Sequence, residues 1–218
     1  MTHSNHRQGT RENLKNDWVM LSLPYRGPPA ITEKVERYNQ ICRRHHPINP
    51  DRPRGWYIWV FDDRENMEAA LKELAEAELG LSVVVSGLFD EVAECCRTAG
   101  TRAHTVNHSL GFWGRTEKLP PPEILEITTM CGHALVASSL VWHLADRVRR
   151  NDVSAAAACQ EMRKMCICDI FNHVRADELM GQLVEAIEEG RCAPPQPSPG
   201  AGLPCNLTTD LSGEGATP

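Results

Sequence analysis

The chain has 218 residues, a net charge of −6, nine cysteines and 41% apolar residues, enough for one large domain or two small ones with a sizeable core. No long basic stretch offsets the negative charge, which disfavours sequence-independent nucleic-acid binding, and no apolar run reaches the roughly 18 residues that span a bilayer. The segment from Met1 to Glu12 is polar and His-rich, without a hydrophobic signal core, so a cytoplasmic location is expected.

Residues 1–13 are expected to form a disordered tail. Trp18-Val-Met-Leu-Ser-Leu23 reads as a short buried strand, and Pro24 to Pro29 as a loop. Ile31 to His45 carries Val35, Tyr38, Ile41 and Cys42 at helical spacing, with Thr32 as a cap. Pro47, Pro50 and Pro53 break the chain. Trp56-Tyr-Ile-Trp-Val-Phe61, aromatic and β-branched, is a second strand. Asp62 or Asp63 caps a helix that runs to about Leu79 and ends at Gly80. Leu81 to Val85, apolar apart from Ser82, reads as an interior strand. Ser86-Gly87 turns into a helix over Leu88 to Ala99, stopped by Gly100, and Arg102 to Val106 is a fourth, weaker strand.

Strands and helices that alternate in this way imply a parallel or mixed sheet covered by helices. A doubly wound order is the first expectation and a ferredoxin-like sandwich the second. After the loop Gly111 to Pro122 the pattern turns helical. Pro121-Pro122-Glu123 suits a helix start, Val136, Leu140, Leu144 and Val148 recur every four residues, Val153 to Met165 is alanine-rich, and Asn172 to Glu189 forms a last helix. No internal repeat is evident. The expected fold class is therefore α/β: an alternating sheet domain over residues 14–115, then an all-helical, cysteine-bearing domain over 116–191. Residues 192–218, with six prolines and four glycines, read as a disordered tail.

Nine cysteines without an export signal point toward metal or redox chemistry rather than disulfides. Cys131, in Met-Cys-Gly-His133, is expected immediately before a helix. Cys166 and Cys168, a C-x-C in Met165-Cys-Ile-Cys-Asp-Ile-Phe-Asn172, are expected just before the last helix. At helix N-termini the free N–H groups and the dipole stabilise a thiolate or an anionic metal–thiolate centre. Two options follow. The first is a [4Fe–4S] cluster held by Cys131, Cys166 and Cys168, with its fourth iron open or bound by another residue. The second is a Cys₃His zinc site, with His133 or His173 as the fourth ligand. An open position implies catalysis on a small-molecule substrate; a closed one implies an electron-transfer partner or structural zinc. Homo-oligomerisation is left open. Cys159 is a further candidate for the fourth ligand, though its place inside a helix has core packing as the plainer reading, and Cys192 and Cys205, at or in the tail, are discounted as ligands.

Met130-Cys-Gly-His-Ala134 also resembles the M-C-G-H-G motif of proline racemases and the C-G-H-A motif of the phenazine-biosynthesis isomerases. That resemblance implies a metal-free isomerase in which Cys131 is an acid/base at a helix N-terminus. The second racemase cysteine, in a C-G-T-G-like turn, has no counterpart here.

Further candidates are His108, beside His104 and Asn107 at a strand end, and Glu126 or Glu123 as a general base near Cys131. Ser86-Gly87 is a weak candidate phosphate turn, and Phe112 and Trp113 weak candidate pocket walls. Each has a plainer reading as packing or solvated surface. Within Cys95-Cys96, one thiol is expected buried and one partly exposed, because neighbours on a helix point apart. His45 and His46 are expected to be solvated.

Overall fold

The computed structural model describes residues 7–22, 29–50 and 57–194. The expected loop over 24–28, Pro53, Trp56 and the tail segments 1–6 and 195–218, with Cys205, lie outside these residues.

Three short strands make one sheet: β1 Trp18–Ser22, β2 Ile58–Phe61 and β3 Val83–Ser86. Their order is β2-β1-β3, and β1 is antiparallel to both neighbours. A doubly wound parallel sheet is therefore not what the chain forms. The alternation of strands and helices that suggested it shows that helices separate the strands in sequence, but does not set strand direction. The segment expected to be a fourth strand, Arg102 to Val106, is irregular and exposed. It offers a single β-branched aliphatic residue, too little to hold a sheet edge.

Side chains alternate across the sheet with period two. Val19, Leu21, Ile58 and Val60 face one side; Trp18, Met20, Trp59 and Phe61 face the other. Register keeps these sets together, with Val19 opposite Val60 and Met20 opposite Trp59. The tryptophan face is covered by α2 Pro29–Arg44, α3 Arg64–Glu76 and α4 Phe89–Thr98, through Tyr38, Ile41, Met67, Leu71 and Cys95. Asp63, not Asp62, caps α3, accepting from the Asn66 N–H at 2.7 Å.

The valine face is covered by the C-terminal helices: α5 Pro122–Thr128, α6 Ser138–Arg149, α7 Ala155–Met165 and α8 His173–Glu188. Ile124, Leu144, Met162 and Leu183 from these helices share one core with Val19 and Val60. The sheet contributes residues to both cores, one on each of its faces. Among the described residues the chain is mixed α/β with helices predominating.

Residues 10–14 also fold. A short helix, α1 Arg11–Leu14, is capped by Thr10, and the segment from Arg7 onward packs on the body. Composition could not reveal this, because a few buried polar bonds, not apolar area, anchor it. Gly9 passes so near Asn13 and Arg175 that a Cβ there would overlap both side chains. Cys192, expected in a tail, is buried in the core formed with the C-terminal helices.

Candidate metal centre

Cys131, Cys166 and Cys168 are buried, with exposures of 1%, 4% and 3%, and lie in one core. Their local setting differs from expectation. Cys131 follows the C-terminus of α5, and α6 begins only at Ser138. Cys166 is the residue that ends α7. Both thiols thus sit at helix C-terminal ends, where the dipole disfavours negative charge. Cys168 precedes Asn172, the cap of α8.

The two cysteine segments are the same turn used twice. In each, the cysteine N–H bonds the carbonyl three residues back: Cys131 to Thr128 at 3.2 Å and Cys166 to Arg163 at 3.0 Å. In each, the residue three further on bonds the cysteine carbonyl: Ala134 to Cys131 at 2.9 Å and Asp169 to Cys166 at 2.8 Å. Those two residues both adopt the left-handed region, with φ of 54° and 52°. The N–H four residues on, from Leu135 and from Ile170, then points back at the cysteine sulfur. Helices α6 and α8 each begin seven residues after their cysteine.

The correspondence extends into the helices at an offset of 35 residues. Ile124 matches Cys159, Ile127 matches Met162, Val136 matches Phe171, Val141 matches Ala176 and Leu144 matches Leu179, and all ten are buried. Helices α5–α6 and α7–α8 are two copies of one helix–turn–helix unit, an internal repeat that composition did not reveal.

Each turn presents a metal-ligating residue at its first and third positions: Cys131 and His133, then Cys166 and Cys168. Cys166 Sγ and Cys168 Sγ are 3.8 Å apart, and Cys168 Sγ is 3.4 Å from His133 Nδ1. Cys131 and Cys166 are also hydrogen-bonded through their thiols. The ligand atoms thus form a chain from Cys131 through Cys166 and Cys168 to His133. As the side chains stand, no group of three or more His, Cys, Asp or Glu residues among those described is set to hold a metal ion. All eight described cysteines are free thiols.

The Cys131 and Cys166 thiols are both shifted toward the protonated form. The Cys166 hydrogen bond, then burial, raise the Cys131 pKa far above its usual value, against the pull of the Leu135 and His133 N–H groups. For Cys166 the bond with Cys131 lowers the pKa, but the bond with Cys168 and burial outweigh it and raise it.

Polar groups fix the turns. Arg163 clamps the Asp169 carboxylate through two bonds of 2.7 and 3.1 Å. Asn49 donates to the Asp169 carbonyl at 3.1 Å and accepts from the Val60 N–H at 3.0 Å, tying the second turn to the sheet. The N-terminal segment crosses both turns. Arg7 donates to the Ile170 carbonyl, to the Met130 carbonyl at 3.5 Å, and to Asp17. Asp17 is fully buried and also binds Arg175 at 2.7 Å and Asn172 Nδ2 at 3.1 Å.

The other candidates take ordinary roles. His108 lies in the exposed loop and meets Phe89 edge-on at 5.9 Å. Glu126, on α5, accepts from Asn13 Nδ2 at 3.0 Å. His173 Nδ1 is buried without a hydrogen-bond partner, and burial, then Arg163, lower its pKa. Gly87 lets the Trp18 ring approach, since a Cβ would sit 2.7 Å from it, while Asp90 pairs with Arg11 and Glu91 with Arg64. Phe112 and Trp113 are exposed. Cys95 is buried and Cys96 half-buried, as helical geometry requires. His45 is half-buried and pairs with Glu73 at 2.8 Å, while His46 is exposed as expected.

Arg7, Asp17, Asn49 and Arg175 were absent from the sequence reading. Only Arg175 left a trace there: it occupies the same helical stripe as Leu179 and Leu183, where an apolar residue would be expected. No helix among the described residues is long and apolar enough to cross a membrane. Comparison of the chain with known protein families, curated proteins and solved structures finds no match to any of them.

Proposed function

We propose that this chain binds one metal ion, zinc by preference, through Cys131, His133, Cys166 and Cys168, and that the ion cross-links the two copies of the helical unit. The observation that carries the reading is the ligand spacing produced by the duplicated turn. Zinc–sulfur bonds of about 2.3 Å at tetrahedral angles separate two sulfurs by about 3.8 Å, and a sulfur from an imidazole nitrogen by about 3.5 Å. Those are the separations found for Cys166–Cys168 and Cys168–His133. Binding would draw the remaining ligand atoms in by side-chain rotation and release the thiol protons.

A [4Fe–4S] cluster on the three cysteines is less well supported. Thiolates on different irons are spread by the iron–iron spacing as well as by two iron–sulfur bonds, which exceeds the Cys166–Cys168 separation. Redox or hydrolytic chemistry on a small molecule would require His133, whose residue is exposed, to leave the ion and open a position. An isomerase using Cys131 gains nothing from a helix C-terminal position and a strongly raised pKa. We therefore favour a closed, structural centre in a zinc-stabilised interaction module kept in a reducing compartment. Leu135, Met165 and Ile167 form an exposed apolar rim on the same two turns.

The test is metal and acid-labile sulfide analysis of protein purified without oxygen, beside a Cys166→Ser/Cys168→Ser variant. One zinc per chain, lost in the variant, is expected. Iron and sulfide in equal amounts would replace zinc with a cluster, and the absence of any metal would overturn the reading.

A further inference from the structure

Three charged side chains lie almost wholly out of water beside the turns: Arg7 at 5% exposure, Asp17 at 0% and Arg175 at 2%. Two are cations and one is an anion. Arg175 has further compensation through Asn13, whose amide nitrogen donates to Glu126. Arg7 has only Asp17, which it shares. A surplus buried charge is costly unless another group offsets it.

The Arg7 guanidinium lies against the backbone of both cysteine turns. Its Nη2 reaches the carbonyls of Met130 and Ile170. Met130 immediately precedes Cys131, and Ile170 is the residue whose N–H points at Cys166. One side chain therefore bridges both copies of the turn. Arg7 Nε is buried and has no hydrogen-bond partner, a donor that the protein itself leaves unsatisfied. The surrounding backbone supports the same placement: the Gln8 N–H bonds Thr129 Oγ1 at 2.9 Å, and the Gln8 carbonyl accepts from Arg175 at 2.6 Å.

We propose that Arg7 is the built-in counter-ion of the metal centre, so that the N-terminal segment completes the site and docks most firmly when the site is filled. Three thiolates, one neutral imidazole and a divalent ion carry a net charge of −1, and one buried guanidinium neutralises it. An anionic centre would also supply a partner for the otherwise unsatisfied Arg7 Nε. The inference rests on the metal-binding reading and adds a residue that touches no ligand atom but sets the charge of the site.

The test compares wild type, Arg7→Gln and Arg7→Lys, each full length, by zinc affinity in chelator competition and by melting temperature with and without zinc. Arg7→Gln is expected to weaken zinc binding by about 10- to 100-fold, as losses of outer-shell partners do, and to lower the melting temperature of the zinc-loaded form more than that of the metal-free form. Arg7→Lys keeps the charge and is expected to bind zinc within about threefold of wild type. Unchanged zinc affinity in Arg7→Gln overturns the counter-ion role, as does an equal fall in stability with and without zinc. If Arg7→Gln does not fold, Arg7→Lys decides: near-native affinity supports the role of charge, and a tenfold or greater loss contradicts it. Failure of the wild type itself to bind zinc would instead refute the metal-binding reading, so the two failures are distinct.

Discussion

Replacing Arg175 by Met tests the buried ionic network that holds the N-terminal segment. Arg175 is 2% exposed and makes bonds of 2.7 Å to Asp17, 2.6 Å to the Gln8 carbonyl and 3.0 Å to Asn13 Oδ1. Removing one partner of a buried ion pair typically costs about 3–5 kcal/mol, because the other charge is left behind. Here Asp17 keeps Arg7 and Asn172 Nδ2, and methionine refills the apolar stripe with Leu179 and Leu183. The cost should therefore fall at the low end, about 3 kcal/mol. For a chain of this size that lowers the melting temperature by about 6–12 °C. The Gln8 carbonyl and Asn13 lose their donor, so residues near 7–14 should also become sensitive to limited proteolysis. Urea unfolding followed by tryptophan fluorescence, with mass spectrometry of the proteolytic fragments, measures both effects. A change below about 0.5 kcal/mol, the range of ordinary surface substitutions, with the segment still protected, would refute this account of how it is held.

Zinc binding near neutral pH should release at least two protons, one each from Cys131 and Cys166, whose pKa values are both raised; calorimetry in buffers of different ionisation enthalpy counts them, and release of fewer than two contradicts a three-thiolate centre. Ala134→Gly should stabilise the protein by roughly 0.5 kcal/mol, because the left-handed strain removed exceeds the backbone entropy added; a loss of stability in thermal melts would show that the turn needs the methyl group. In metal-free protein, His173 should make stability fall as pH drops through 6.5, because its folded-state pKa is lowered and the unfolded chain takes the proton first. Above that pH it contributes nothing, and His173→Gln should flatten this part of the stability profile in urea titrations. Leu144→Ala should cost about 2–5 kcal/mol, as Leu144 is fully buried in the core shared by the sheet and the helices; a smaller loss in denaturant unfolding would mean that the site collapses around the cavity.

Much of the element order was legible because strong local signals coincide with burial. Trp59, Val60 and Phe61 are β-branched or aromatic and form a strand, and Gly100 follows the helix it was expected to stop, whereas α3 ends at Glu76, before Gly80. Strand direction was not legible, since β1 lies between two neighbours and is apolar on both faces whichever way they run. The cysteine cluster could be read from the rarity of its residues. Its electrostatic setting could not, because the position of Cys131 depends on how early α5 ends: Pro121 and Pro122 start that helix, and it closes before the cysteine. The duplication escaped notice because the copies share residue class rather than identity, with Ile124 standing where Cys159 recurs and His133 where Cys168 does. The N-terminal anchor escaped because Arg7 and Asp17 become a pair only after α8 has brought Arg175 and Asn172 beside them.

The most direct test of the metal centre is X-ray absorption at the metal edge of the protein as isolated without oxygen. The account predicts zinc with three sulfur neighbours at about 2.3 Å and one nitrogen at about 2.0–2.1 Å, the nitrogen contribution disappearing in His133→Ala. Iron with a short iron–iron distance, or zinc bound only by light atoms, would contradict it.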